Sequence, residues 1–318
     1  MLGRVLFYDI NLSSDNTISC ASCHKQNLAF GDNHKQSQGV NGLTARLSMR
    51  LVNARFSDGR SFFWDERANT LEDQTTLPIQ DHIEMGFSGI NGDPNINDLI
   101  LKLSELSYYP TLFTLALGNI QITELRMQNA LAQFIRSIQS FDSKYDTGRA
   151  QTNNNNQDFF NFSSEENLGK RLFNQNINFQ GNSGNRIGGG FNCESCHQAP
   201  EFSIDNNSAN NGVIHTVDVL NGLDLTVERS PTLRDLFNGN GELNGPMMHT
   251  GDFDIEAVLD HYNDIDATNN PNLDNRLARG GGQNLNMTDE EREALIAFLK
   301  TLSGNAIYND SRWSDPFN

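Results

Sequence analysis

Apolar residues return every three or four positions through residues 98–117 and again through 123–141, and this spacing predicts helices. In the second stretch Met127, Leu131, Phe134, Ile135, Ile138 and Phe141 fall on one stripe behind a Thr123 cap, the pattern of a core-facing helix. Ser163 and Glu166 read as a capping box opening a further helix, in which Leu168 and Leu172 share a face. Thr288 and Glu291 form another box ahead of Leu295, Ile296, Phe298 and Leu299. The Gly/Asn-rich stretch 174–192 has no period and reads as a loop. "TGRAQTNNNNQD" (147–158) has the composition of a linker and places a boundary between domains 1–150 and 151–318. No strand-rich region appears, so the pattern predicts a mostly α chain.

One unit is used twice. "LGRVLF" (residues 2–7) precedes Cys20, and "LGKRLF" (168–173) precedes Cys193. The first copy begins inside its helix, so residues upstream are expected to have been removed.

Composition narrows the partners. The 318 residues suffice for two domains, and 36% hydrophobic residues supply cores. No run of 18 apolar residues predicts a membrane span. A formal charge of -17 argues against nucleic acid and suits a basic protein partner.

All four cysteines lie in two Cys-x-x-Cys-His motifs, Cys20-Cys23-His24 and Cys193-Cys196-His197. A zinc ribbon wants its pairs about 15–20 residues apart, and a redox dithiol asks for no adjacent His. The motif is that of covalent c-type haem: the thiols add to the vinyl groups, and His24 and His197 become proximal iron ligands. Each domain is therefore expected to be a cytochrome-c-like helical unit with one covalent haem. Such haems are attached outside the cytoplasm. The opening "MLGRVLFYDI" carries no secretory signal, so the reading expects a processed, periplasmic protein.

These motifs, with "FFWDERANTLEDQTTLPIQDHIEMG", "SPTLRDLF", "GPMMHTGDF" and "MTDEEREALIAFLKTL", resemble the bacterial di-haem cytochrome c peroxidases and the methylamine-utilisation di-haem enzyme nearly end to end. The resemblance implies that the N-terminal haem meets hydrogen peroxide, while the C-terminal haem receives electrons from a cytochrome c or cupredoxin. It places Trp64 between the haems as an electron bridge. It makes Glu84 the catalytic proton carrier, with Gln74 as its hydrogen-bonding partner and Pro78 in a packing role; a Thr70 cap would open the short helix carrying Gln74. It also implies a homodimer. Glu66 stands where the family usually has Gly.

Two departures from the family pattern alter the expectation. Segment 37–42, "SQGVNG", holds Val40 and Asn41 where many relatives carry a blocking His, and His34 reads as a loop residue. This implies a five-coordinate first haem. Leu47 replaces the Asn that contributes an oxygen to an interdomain calcium ion, so calcium would rest on the carbonyls of Asn244 and Pro246. Alignment of "IEAVLD" puts Tyr262 at the distal position of the second haem, with Met247, Met248 and His261 as alternatives. His249 is expected to hydrogen-bond near that haem. The leading functional expectation is a peroxidase. The alternatives are a protein-modifying di-haem oxidase working through a bis-ferryl state and a plain electron-transfer cytochrome.

Overall fold

The computed structural model describes residues 1–57, 61–152, 154–203, 208–215 and 222–317. Its regular structure is mostly helical. The helices are α1 (Leu2–Tyr8), α2 (Cys20–Cys23), α3 (Leu71–Thr76), α4 (Ile96–Glu105), α5 (Tyr108–Leu117), α6 (Glu124–Ser137), α7 (Lys144–Gln151), α8 (Ser164–Asn174), α9 (Ile255–Asn263) and α10 (Asp289–Lys300). Two short antiparallel hairpins accompany them: β1 (Gln38–Gly39) with β2 (Gly42–Leu43), and β3 (Ile177–Phe179) with β4 (Arg186–Gly189).

The repeated hexapeptide has a steric reason. α1 crosses α6, and a Cβ on Gly3 would lie 1.9 Å from the carbonyl oxygen of Ala130. α8 crosses α10 in the same way, and a Cβ on Gly169 would lie 1.8 Å from the carbonyl oxygen of Ala294. Only glycine lets the two backbones meet that closely. Leu2, Leu6 and Phe7 bury one crossing, and Leu172 and Phe173 the other.

Two apolar cores follow from these crossings. The first gathers α1 and α6 with Leu99, Leu103, Tyr109 and Phe113, and the C-terminal residues Ile307 and Trp313 return to it. The second gathers Tyr145, Phe159, Phe173, Phe202, Leu295 and Phe298. Both predicted capping boxes form: Ser163 accepts from the Glu166 amide at 3.1 Å, and Thr288 from the Glu291 amide at 3.2 Å.

The structure corrects four local expectations. The helix predicted over 98–117 is two helices. Pro110 has no N–H to offer the carbonyl of Leu106, and the chain breaks there. The helix predicted to 141 ends at Ser137, because residues 138–140 pair with Asn53: the Asn53 amide donates to Ile138 O at 3.0 Å, and Ser140 donates to Asn53 Oδ1 at 2.9 Å. Phe141 consequently leaves the buried stripe and is 38% exposed. The start of the predicted linker is helical, since Ser143 and Asp146 form a capping box for α7 and Tyr145 is buried in its first turn; Asn153 of that stretch lies outside the described residues. The loop predicted over 174–192 holds the β3–β4 hairpin, anchored by the buried Arg186, which forks onto Glu291 at 2.6 and 3.0 Å.

Candidate functional site: two cavities and the wall between them

Cys20 and Cys23 bracket α2, a single turn opened by Ser19 and Ser22 as a reciprocal cap. His24 follows directly, and its Nδ1 donates to the carbonyl of Phe30 at 3.2 Å. Phe30 sits in a turn in which it and Ala29 take positive φ, 58° and 55°. With Nδ1 committed to a carbonyl, Nε2 keeps its lone pair for a metal.

Cys20, Cys23 and His24 line one cavity together with Gln74, Pro78 and Glu84. Thr70 accepts from the Asp73 amide at 3.0 Å and opens α3, which carries Gln74; Pro78 follows its end. Glu84 is fixed by its backbone. Its amide donates to Asp81 Oδ1 at 2.9 Å, and its carbonyl accepts from Val40 at 3.1 Å. Asn41 donates to the neighbouring carbonyl of Ile83 at 3.2 Å. Segment 37–42 thus straps down the Glu84 turn. Burial, with the Asp81 charge added, pushes the Glu84 carboxyl up to about 7, against a smaller opposing pull from Arg67. His34 lies outside this cavity on an exposed loop, 3.0 Å from Asp32.

The second cavity repeats the first. Cys193, Cys196 and His197 line it, and His197 Nδ1 shares its proton between the carbonyls of Phe202 and Pro231, both at 3.1 Å. Tyr262 on α9 lines the same cavity, as does Met247. Burial pushes the Tyr262 phenol well above its ordinary value. His261 turns away and donates from Nε2 to Asn211 O at 2.9 Å. Met248 lines the junction cavity and accepts from Asn211 through sulfur at 3.8 Å. Tyr262 and Met247 are therefore brought together with His197, whereas His261 is not.

Trp64 occupies the wall between the cavities and lines spaces that reach His24 on one side and His197 on the other. It is 8% exposed, and its Nε1 donates to Leu47 O at 2.7 Å. Beside it is a network that sequence reasoning missed. Arg46 bridges Asp224 at 2.7 Å and Glu228 at 2.9 Å. His249, expected to hydrogen-bond, has neither ring nitrogen in a hydrogen bond; the carboxylates of Glu228 and Asp224 stand 3.5 and 3.8 Å away. Burial drives the Glu228 carboxyl up to about 8 and holds the His249 imidazole down to about 4. Arg46 lay in the segment read for calcium, but Asp224 and Glu228 lie about 180 residues away along the chain and carried no motif. Glu66 takes φ +58°, a conformation that favours glycine.

Leu47, Asn244 and Pro246 do line one junction cavity. The Asn244 amide group donates to Asp235 O at 2.8 Å and Tyr308 Oη at 2.9 Å, and Leu47 brings no side-chain oxygen.

The residues fit covalent haem in both cavities. Each presents two free thiols beside a histidine with its Nδ1 bonded, in an apolar-lined space. Burial raises the Cys20 thiol to about 12 and the Cys23 thiol to about 11, the reverse of the lowered value a redox dithiol needs.

Comparison with known proteins agrees with this arrangement. A family model described as di-haem cytochrome c peroxidase matches residues 1–154. The methylamine utilization protein MauG of Methylophilus methylotrophus is 28% identical, over 96% of this chain and 82% of its own length. The cytochrome c551 peroxidase of Nitrosomonas europaea is 28% identical, over 96% and 79%. Among solved structures, a MauG-like protein associated with microbial copper homeostasis superposes with a TM-score of 0.71 at 25% identity, covering 100% of this chain and 92% of that one. The chain is thus similar to di-haem cytochrome c peroxidases and MauG proteins along nearly all of its length, and the family model itself covers the N-terminal part.

Proposed function

We propose that the protein is a periplasmic di-haem peroxidase that reduces hydrogen peroxide to two waters, taking two electrons from a small redox protein and two protons from solvent. The observation that carries this reading is Glu84: a carboxyl raised to about 7 in the cavity of Cys20, Cys23 and His24. Haem bound there supplies the iron at which the O–O bond breaks.

The chain's residues do the rest. His24 would hold the iron through Nε2, with its ring orientation set by the bond from Nδ1 to Phe30 O. Glu84 would take a proton from one peroxide oxygen and return it to the other, so that water rather than hydroxide leaves. A carboxyl with its pKa near ambient pH suits both halves of that transfer. Gln74 orients the peroxide through its amide, and Pro78 closes the wall. Residues 1–150 serve peroxide chemistry, and residues 151–318 receive electrons through the His197 site, with Trp64 carrying charge between them. The -17 charge favours a basic donor, a cytochrome c or a cupredoxin. Steady-state oxidation of reduced cytochrome c by peroxide tests the proposal; a protein with both haems attached that shows no such turnover contradicts it.

A second reading, oxidation of a protein substrate, is favoured by Tyr262. If Tyr262 ligated a haem iron in the His197 cavity, it would do so as phenolate, giving up the proton that burial otherwise holds on it, and would lower that haem's potential. A long-lived oxidised state after peroxide addition, with no cytochrome turnover, would select it.

A further inference from the structure

The wall between the cavities holds a half-buried guanidinium that makes no ion pair among the described residues. Arg50 lines the cavity reaching His197 and Tyr262 and also the one reaching His24 and Glu84. Its Nη2 donates to Thr232 O at 3.2 Å, its Nε is buried without a partner, and among the described residues it makes no ion pair. Burial pulls its pKa down; the charged or ionisable groups that oppose this are Asp235 and Tyr308. Asp235 forms no ion pair with Arg50: its Oδ1 accepts from Gly304 N at 2.8 Å and Tyr308 Oη at 3.3 Å, and its Oδ2 makes no hydrogen bond. Room for Arg50 is built in, because a Cβ on Gly31 would lie 2.8 Å from Arg50 Cγ. Arg229 lines both cavities too, but its guanidinium is taken by Ser61 O and Ser57 Oγ.

A guanidinium stays protonated even when buried, so a low-dielectric wall must supply it with an anion. The anions that the two cavities are built to receive are the carboxylates of their haems. We infer that Arg50 is the shared clamp of the junction, holding haem propionates from both sides and supplying there the positive charge that an interdomain calcium ion would otherwise bring. Of the rival oxygens, Asp224 Oδ2 and Glu228 Oε1 are bridged by Arg46, while Asn244 Oδ1 and Glu228 Oε2 make no hydrogen bond and are the ones a calcium chelator tests. This inference rests on the di-haem reading.

The test is spectroelectrochemical titration of both haems in the holoprotein, for wild type, Arg50→Lys and Arg50→Gln, with and without a calcium chelator. A positive charge beside a haem stabilises its reduced form, so Arg50→Gln is expected to shift both midpoint potentials negative. Arg50→Lys, which keeps the charge but loses the fork, is expected to shift both by less. Wild type is expected to ignore the chelator. Unchanged potentials in a Gln variant that retains both haems, a shift at one haem alone, or a chelator effect on wild type would each overturn the inference. If the Gln variant does not assemble, unchanged potentials in the Lys variant overturn it. Haem quantification below two per chain would instead sink the di-haem reading.

Discussion

At the scale of single residues, the proposed function rests on Glu84. Glu84→Gln keeps the shape and removes the titrating group. Peroxide turnover should fall roughly 100- to 10,000-fold, with haem content unchanged. In wild type kcat/KM should rise with pH through about 7, as the carboxyl becomes able to accept a proton, and the Gln variant should lose that limb. Stability follows the opposite sign. The folded carboxyl titrates above its unfolded value of 4.5, so between 4.5 and about 7 the folded state binds more protons, and stability falls as pH rises. Glu66 is a second residue-scale case: in a left-handed conformation it should be improved by Glu66→Gly, gaining about 1 kcal/mol in chemical denaturation. The family resemblance implied glycine at position 66; the reason glycine would suit it, a positive φ, is a property of the folded backbone.

At the scale of elements, the two helix crossings are the frame on which both cavities hang. Gly169→Ala would drive a methyl into the Ala294 carbonyl and should cost about 1–3 kcal/mol, read as a lowered midpoint in denaturant. Gly3→Ala should do the same at the first crossing. These crossings were legible as a repeated hexapeptide, and the capping boxes at Ser163 and Thr288 were legible from local spacing alone. Where the reading failed, partners distant along the chain decided the outcome. Asn53 ended α6, and Arg186 and Glu291 organised a stretch that looked like featureless loop. The break before α5 is different: Pro110 was visible, and its missing N–H could have split the predicted helix.

At the scale of the whole molecule, the Cys-x-x-Cys-His pairs announced two sites, and the family pattern named Trp64, Gln74 and Glu84 around the first of them. The polar wall between the sites was not legible, because Arg46, Arg50, Asp224, Glu228 and His249 come from segments that meet only on folding. A net charge of -17 makes the donor encounter electrostatic. With a basic cytochrome c as donor, kcat/KM should fall as ionic strength rises, and a neutral donor should show little dependence. The central claim is that the His24–Glu84 cavity is where peroxide reacts. Electron paramagnetic resonance of the ferric holoprotein, before and after one equivalent of peroxide, tests it most directly. A high-spin ferric signal that one equivalent of peroxide abolishes in wild type but leaves largely intact in Glu84→Gln is the predicted result; an entirely low-spin spectrum, unchanged by peroxide, would contradict it.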